Sequence, residues 1–149
     1  MTSTEKNTGT LIHLSALSQF IIPFGNFILP IVIWSSQKKE SEFIDNHGKQ
    51  AINFQLSLLL FNLVGFLVAA AFGLYYLFNV IKIKNLNQLD IEFENYESSK
   101  FLSLILIGCI AFGVYIFSKI TEFILIIIAS VKASNGEKYT YPLTINFLK

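Results

Sequence analysis

Phe43-Ile-Asp-Asn-His-Gly-Lys-Gln-Ala-Ile-Asn-Phe-Gln55 is the stretch on which the reading of this chain turns. It gathers His47, Lys49, Gln50, Asn53 and Gln55 and then runs directly into an apolar block, Ala51 to Ile81. Asp45 or Asn46 is placed to cap a helix starting near His47, by accepting bonds from the free N–H groups of its first turn. At ~100° per residue Gln50, Asn53 and Ser57 share one stripe, with Ile52 and Phe54 elsewhere. The stretch therefore reads as a helix entering a membrane with one polar face at headgroup level. The competing reading is a ligand site made of His47, Lys49 and Gln50. A metal site is poorly supported, because the only histidines are His13 and His47 and the only cysteine is Cys109.

Composition sets the class. Of 149 residues, 53% are hydrophobic and 14% charged, where a soluble domain carries about 25% charged. The mean hydropathy is +0.57. The apolar residues concentrate in three blocks, which predict spans at about 11–34, 53–80 and 101–131. The expected fold is all-α: a polytopic helical membrane protein with three transmembrane helices and short polar tails. A net charge of +1 leaves no electrostatic footprint for nucleic acid. The eleven basic residues are all lysine, so bidentate phosphate forks are absent. Cys109, within an apolar block, reads as a small buried hydrophobe.

Upstream of the opening stretch, residues 1–10 are polar and small and read as a flexible tail. The first block, Leu11 to Trp34, has no formal charge unless His13 is protonated, and it is long enough to cross a ~30 Å hydrocarbon core. It lacks an Ala-x-Ala-like exit, so it reads as an uncleaved membrane segment. Pro23 and Pro30 each remove a helix donor, which predicts a kink or short unwound segment around 22–26. Irregular backbone at membrane depth needs protein around it. Ser15, Ser18, Gln19, Gly25 and Asn26 are therefore expected to face neighbouring helices. His13 projects roughly opposite and reads as a snorkelling or capping residue at the interface. Trp34 reads as an interfacial anchor.

Downstream, Gln55, Asn62, Gly65, Ala69, Gly73 and Tyr76 project within one arc. Gly65-xxx-Ala69-xxx-Gly73 is a double small-xxx-small pattern that lets a second helix approach closely in lipid. An intramolecular packing seam is preferred to a self-association face. In residues 82–100, Asp90, Glu92, Glu94 and Glu97 lack the glycine and ligand order of a calcium loop and read as a solvated acidic loop. The third block, Phe101 to Val131, is interrupted by Lys119 and Glu122. Splitting it there would leave a piece too short to cross, so one long helix is expected. Lys119 and Glu122 stand at i,i+3 on its packed side, close enough to pair. A neutralised structural pair is preferred, against a functional alternative in which Glu122 gates or conducts protons. Asn135-Gly136 is a helix stop, and the segment from Tyr139 to Phe147 reads as extended, with Tyr139 and Tyr141 at the membrane interface.

His13-Leu-Ser, Pro23-Phe-Gly-Asn26 with Pro30, the run His47–Gln55, and Lys132-Ala-Ser-Asn-Gly-Glu-Lys-Tyr-Thr-Tyr-Pro-Leu-Thr-Ile145 occur in that order. Together they resemble the Tic-twenty-like family of small bacterial membrane proteins, over about residues 11–148. The resemblance implies a single multi-pass helical domain in a bacterial plasma membrane. It supplies no catalytic residues, and extending the import role of the family's chloroplast namesake to this chain is analogy only.

No Ser/His/Asp set, metal cluster or phosphate loop is present, so the sequence predicts a non-enzymatic protein without a cofactor. The expected partners are the lipid bilayer and a protein partner or a second copy. The leading function is a subunit or scaffold of a membrane complex. The alternative is a small transporter or channel component with a polar path at Lys119 and Glu122, together with Asn62 and Gln55. With three spans, six lysines against four place residues 35–50 and the C-terminus in the cytoplasm.

Overall fold

The computed structural model describes residues 1–83, 91–93 and 98–149. The described chain has four α-helices: α1 (Ser3–Ser15), α2 (Gly25–Gln37), α3 (Glu42–Val80) and α4 (Ser98–Asn135). A 3-10 turn, Ala16–Phe20, follows α1. The short strands β1 (Ile81–Ile83) and β2 (Ile91–Phe93) pair antiparallel, with Lys82 opposite Glu92. Asp90, Glu94 and Glu97 of the expected acidic loop lie outside the described residues.

The stretch read as a flexible tail is the first helix. Thr2 accepts from the Glu5 N–H, and the Glu5 carboxylate accepts from the Thr2 N–H at 2.6 Å. This capping box satisfies donors that a fraying end would leave open. α1 then ends well short of Trp34. The chain passes through the 3-10 turn and a reversal in which Phe24 adopts φ 59°. It restarts as α2, which carries Pro30 in its interior.

The predicted first transmembrane helix, 11–34, is therefore the end of α1, a break and most of α2. At 1.5 Å per residue α1 and α2 are each ~20 Å long, too short to cross. Among the described residues two helices, not three, are long and apolar enough to span a membrane: Glu42–Tyr75 within α3 and Ile105–Asn135 within α4. The apolar faces of both are largely exposed, with Phe66 at 69% and Phe117 at 72%. A core helix of a soluble protein would bury such residues, so these faces belong against lipid.

The chain forms two compact units, Met1–Leu60 with Lys119–Lys149, and Phe61–Ser118. The first unit contains the core. Ala16, Phe54, Ile126, Ala129 and Tyr141 form one buried cluster, and Ile12, Ile44 and Ala51 form another. In the second unit, Cys109 is exposed rather than buried. It stands on a stretch of α4 whose neighbours Leu106 and Ile110 are also exposed.

α3 begins at Glu42, about one turn before the expected start near His47. Asp45 and Asn46 therefore lie inside the helix and cap nothing. Asp45 instead accepts from the Trp34 indole N–H at 3.0 Å and pairs with Lys49 at 2.6 Å. Trp34 is thus tied to α3 and lies against Gly48, where a β-carbon would collide with the indole ring.

Candidate functional site

The polar residues of the first unit are organised as three sets of long-range contacts. The first joins α1, α3 and the C-terminal segment. His13 Nε2 lies 2.8 Å from His47 Nδ1, and the Tyr141 hydroxyl lies 2.9 Å from His13 Nδ1. All three side chains are buried. His13 is thus not a snorkelling residue, and Tyr141 is not at the interface: its ring stacks on Phe54 at 4.1 Å between centroids. Burial, reinforced by His47, lowers the His13 pKa to about 3. Burial likewise pushes the Tyr141 hydroxyl well above its ordinary value, with Tyr139 and Glu122 adding to it.

The far nitrogen of His47, Nε2, is buried without a hydrogen-bond partner. With His13 neutral, one of its ring nitrogens donates and the other accepts, so its bonds to His47 and Tyr141 run in one common direction set by the tautomer.

The second set docks the C-terminal segment on α3. Asn53 Nδ2 donates to the Leu148 carbonyl at 3.0 Å, and the Leu148 N–H donates to Asn53 Oδ1 at 2.8 Å. The Ile145 N–H donates to Ser57 Oγ at 2.8 Å, and the Tyr141 N–H to Gln50 Oε1 at 3.4 Å. The predicted stripe of Gln50, Asn53 and Ser57 is real, but it faces backbone of the same chain rather than lipid headgroups. These side chains satisfy N–H groups that an extended segment at membrane depth would leave open.

The third set holds the break between α1 and α2. Gln19 Nε2 donates to Glu122 Oε1 at 2.8 Å. Lys119 Nζ donates to Gln19 Oε1 at 3.0 Å and to Glu122 Oε2 at 2.8 Å. The three close a ring in which Glu122 is 2% exposed and Lys119 27%. Asn26 Nδ2 donates to Gln55 Oε1 at 2.8 Å, while Gln55 Nε2 is left without a partner. Gly25 lies so close to Ser18 that a β-carbon there would meet its backbone at 2.8 Å.

The candidate residues thus separate. His47, Asn53, Gln55, Lys119 and Glu122 are all drawn into the first unit, but into different contacts. The proposed His47–Lys49–Gln50 ligand site is not formed, because Lys49 turns to Asp45 while His47 is buried against His13. Lys49 and Gln50 instead line a polar cleft of about 340 Å³ with Glu42, Asp45 and Asn146. In the second unit Asn62, Gly65 and Ala69 line a cleft of about 490 Å³ opposite Ala111, Tyr115 and Ser118. The expected tight seam is not closed there: nothing lies within 4 Å of a β-carbon at Gly65 or Gly73. Tyr141, Gln19 and Asn26 are the residues whose pairing spacing could not supply. Among the described residues no group of three or more His, Cys, Asp or Glu is disposed to hold a metal ion.

The family model that matches this chain is that of the magnetosome magnetite crystal formation proteins (MamF/MmsF), and it covers residues 4–148. The chain belongs to that family. The Tic-twenty-like resemblance is thereby corrected. The short motifs that carried it, such as His47–Gln55 and Tyr139-Thr-Tyr-Pro, serve the histidine pair and the docked tail. MamF/MmsF proteins are magnetosome membrane proteins involved in magnetite crystal formation, which agrees with the two apolar helices. No curated protein and no solved structure matches the chain.

Proposed function

We propose that this chain is a non-enzymatic subunit or scaffold of the magnetosome membrane that acts in magnetite crystal formation by assembling with other membrane proteins or with itself. The observation carrying this reading is the internal use of its polar groups. Both carboxylate oxygens of Glu122 are engaged, Asn53 is engaged at both ends of its amide, and His13 is engaged at both nitrogens. Such groups stabilise a shape; they are not displayed toward a mineral or a substrate. What α3 and α4 display is apolar surface, with charged ends that carry both lysines and carboxylates such as Glu42 and Glu137.

The transport alternative would route ions past Lys119 and Glu122. It has less support, because Gln19 and Lys119 each hold one oxygen of the buried Glu122 carboxylate, closing the pair into a ring.

Two experiments on magnetosome-forming cells test the proposal. In cells lacking this chain, crystal size and shape should change and should return on complementation. Purification of the chain from magnetosome membranes in mild detergent should bring down a stoichiometric protein or a homo-oligomer. Unchanged crystals together with a monomeric, partnerless chain would overturn it.

A further inference from the structure

Four helix ends of the first unit come together. Thr8 near the start of α1 donates to Gln37 at the end of α2 at 2.9 Å. Lys138, just beyond α4, pairs with Glu42 at the start of α3 at 2.8 Å. Gly136 lies against the side chains of Met1 and Lys6. The opposite end of the α1–α2 pair is fixed by the bonds from Gln19 to Glu122 and from Asn26 to Gln55. Gln55 is thirteen residues into α3, and Glu122 is thirteen residues from the end of α4. At 1.5 Å per residue, both put the break ~20 Å from the shared end. A full crossing of the hydrocarbon core needs ~30 Å. The pair turns back before reaching the far side.

Among the described residues nothing covers the tip. Ile21 is 85% and Phe24 71% exposed, and Phe20 and Ile22 are exposed beside them. Between Leu11 and Trp34 the one ionisable side chain is His13, which is buried. Over the same depth α4 exposes Phe123, Ile124 and Ile127. Most N–H groups of the break are used internally: Ile21 and Ile22 N–H donate to the Ser18 carbonyl, Gly25 N–H donates to that of Ile22, and Pro23 has no N–H to satisfy. A turn with few open donors and only apolar side chains at its tip is fit for hydrocarbon.

We propose that residues 11–34 form a re-entrant hairpin, which enters and leaves the membrane by one face and turns at Phe20-Ile21-Ile22-Pro23-Phe24 among lipid acyl chains. The N-terminus, the 38–41 connection and the C-terminus then share one side of the membrane. That side carries Lys6, Lys38, Lys39, Lys49, Lys132, Lys138 and Lys149, and the stretch between the two spanning segments carries Lys82, Lys84 and Lys100. Seven lysines against three place both termini in the cytoplasm. This replaces the arrangement expected from three spans, in which the N-terminus lies on the opposite side from the C-terminus.

The test uses the full chain with Cys109→Ala and single cysteines at Thr4, Ile21, Ile28, Ser36 or Ser134, in right-side-out and inverted membrane vesicles. A membrane-impermeant maleimide should label the positions 4, 36 and 134 in inverted vesicles only, and positions 21 and 28 in neither until detergent is added. A bimane on position 21 should be quenched more by a spin label deep in the acyl chain than by one near the headgroup. Labelling of position 21 from the face opposite position 4 would show a crossing. Labelling from the same face would show a tip in water. Labelling of positions 4 and 134 from different faces would also overturn the proposal. If Ile21→Cys fails to accumulate, Ile28→Cys carries the same readout.

Discussion

Gln19 and Glu122, 103 positions apart, are joined by a 2.8 Å hydrogen bond in which the amide occupies the carboxylate oxygen that Lys119 leaves free. This bond ties the break in the first apolar block to α4. Removing Lys119 leaves Glu122 as a buried charge with one partner fewer, which typically costs about 3–5 kcal/mol. Removing both members costs much less, because no unpaired charge is left. Thermal unfolding in detergent should therefore rank Lys119→Met below Lys119→Met/Glu122→Met. The reverse order would show that Lys119 and Glu122 do not depend on each other.

Gly48 and Gly65 both lie in α3 and predict opposite outcomes. Gly48→Ala drives a methyl into the Trp34 ring and should destabilise by about 1–3 kcal/mol, as overpacked cores do. Gly65→Ala meets nothing within 4 Å and should be neutral or gain up to about 1 kcal/mol of helix propensity. Melting temperatures of the two variants decide this. A loss at Gly65 equal to that at Gly48 would mean that the open cleft is closed by a partner.

Asn53 predicts a local effect. Asn53→Ala removes both bonds to the Leu148 backbone and leaves buried groups open, at about 1–3 kcal/mol. The first consequence should be release of the tail, seen as faster carboxypeptidase trimming with α3 and α4 still folded. An unchanged trimming rate would show that the tail is held by other contacts.

The histidine pair predicts a pH dependence. His13 has a folded-state pKa of about 3 against an ordinary 6.5, so the unfolded chain binds the extra proton between those values. Stability is complete above pH 6.5 and falls as the pH drops from 6.5 toward 3. Melting temperature in detergent should decline over that window, and His13→Gln should flatten part of the decline. A wild-type chain equally stable at pH 7 and pH 4.5 would contradict the buried neutral pair.

Much of this was legible in the chain. The third block is one helix, as expected because splitting it would leave a piece too short to cross, and Asn135-Gly136 ends it with Gly136 at φ 82°. Pro23 announced the break, and the Lys119–Glu122 pair could be read from its spacing. The first helix was also legible, through Thr2 and Glu5, but a polar composition hid it. What spacing could not supply was pairing at long range. His13 meets Tyr141 across 128 positions, and Asn53 meets Leu148 across 95. Hydropathy counts apolar residues and cannot tell a crossing from a hairpin that turns halfway. The Gly65–Ala69–Gly73 pattern shows the same limit, since small residues permit close approach without supplying the helix that approaches.

The most direct measurement is crystal formation in magnetosome-forming cells whose only copy of this chain is Lys119→Met/Glu122→Met, with the protein present at its normal level. A structural role for the buried polar ring predicts magnetite crystals of unchanged size and number, because the shape of the first unit survives without the pair. Loss of crystals at normal protein level would contradict it and would assign the ring to the movement of ions.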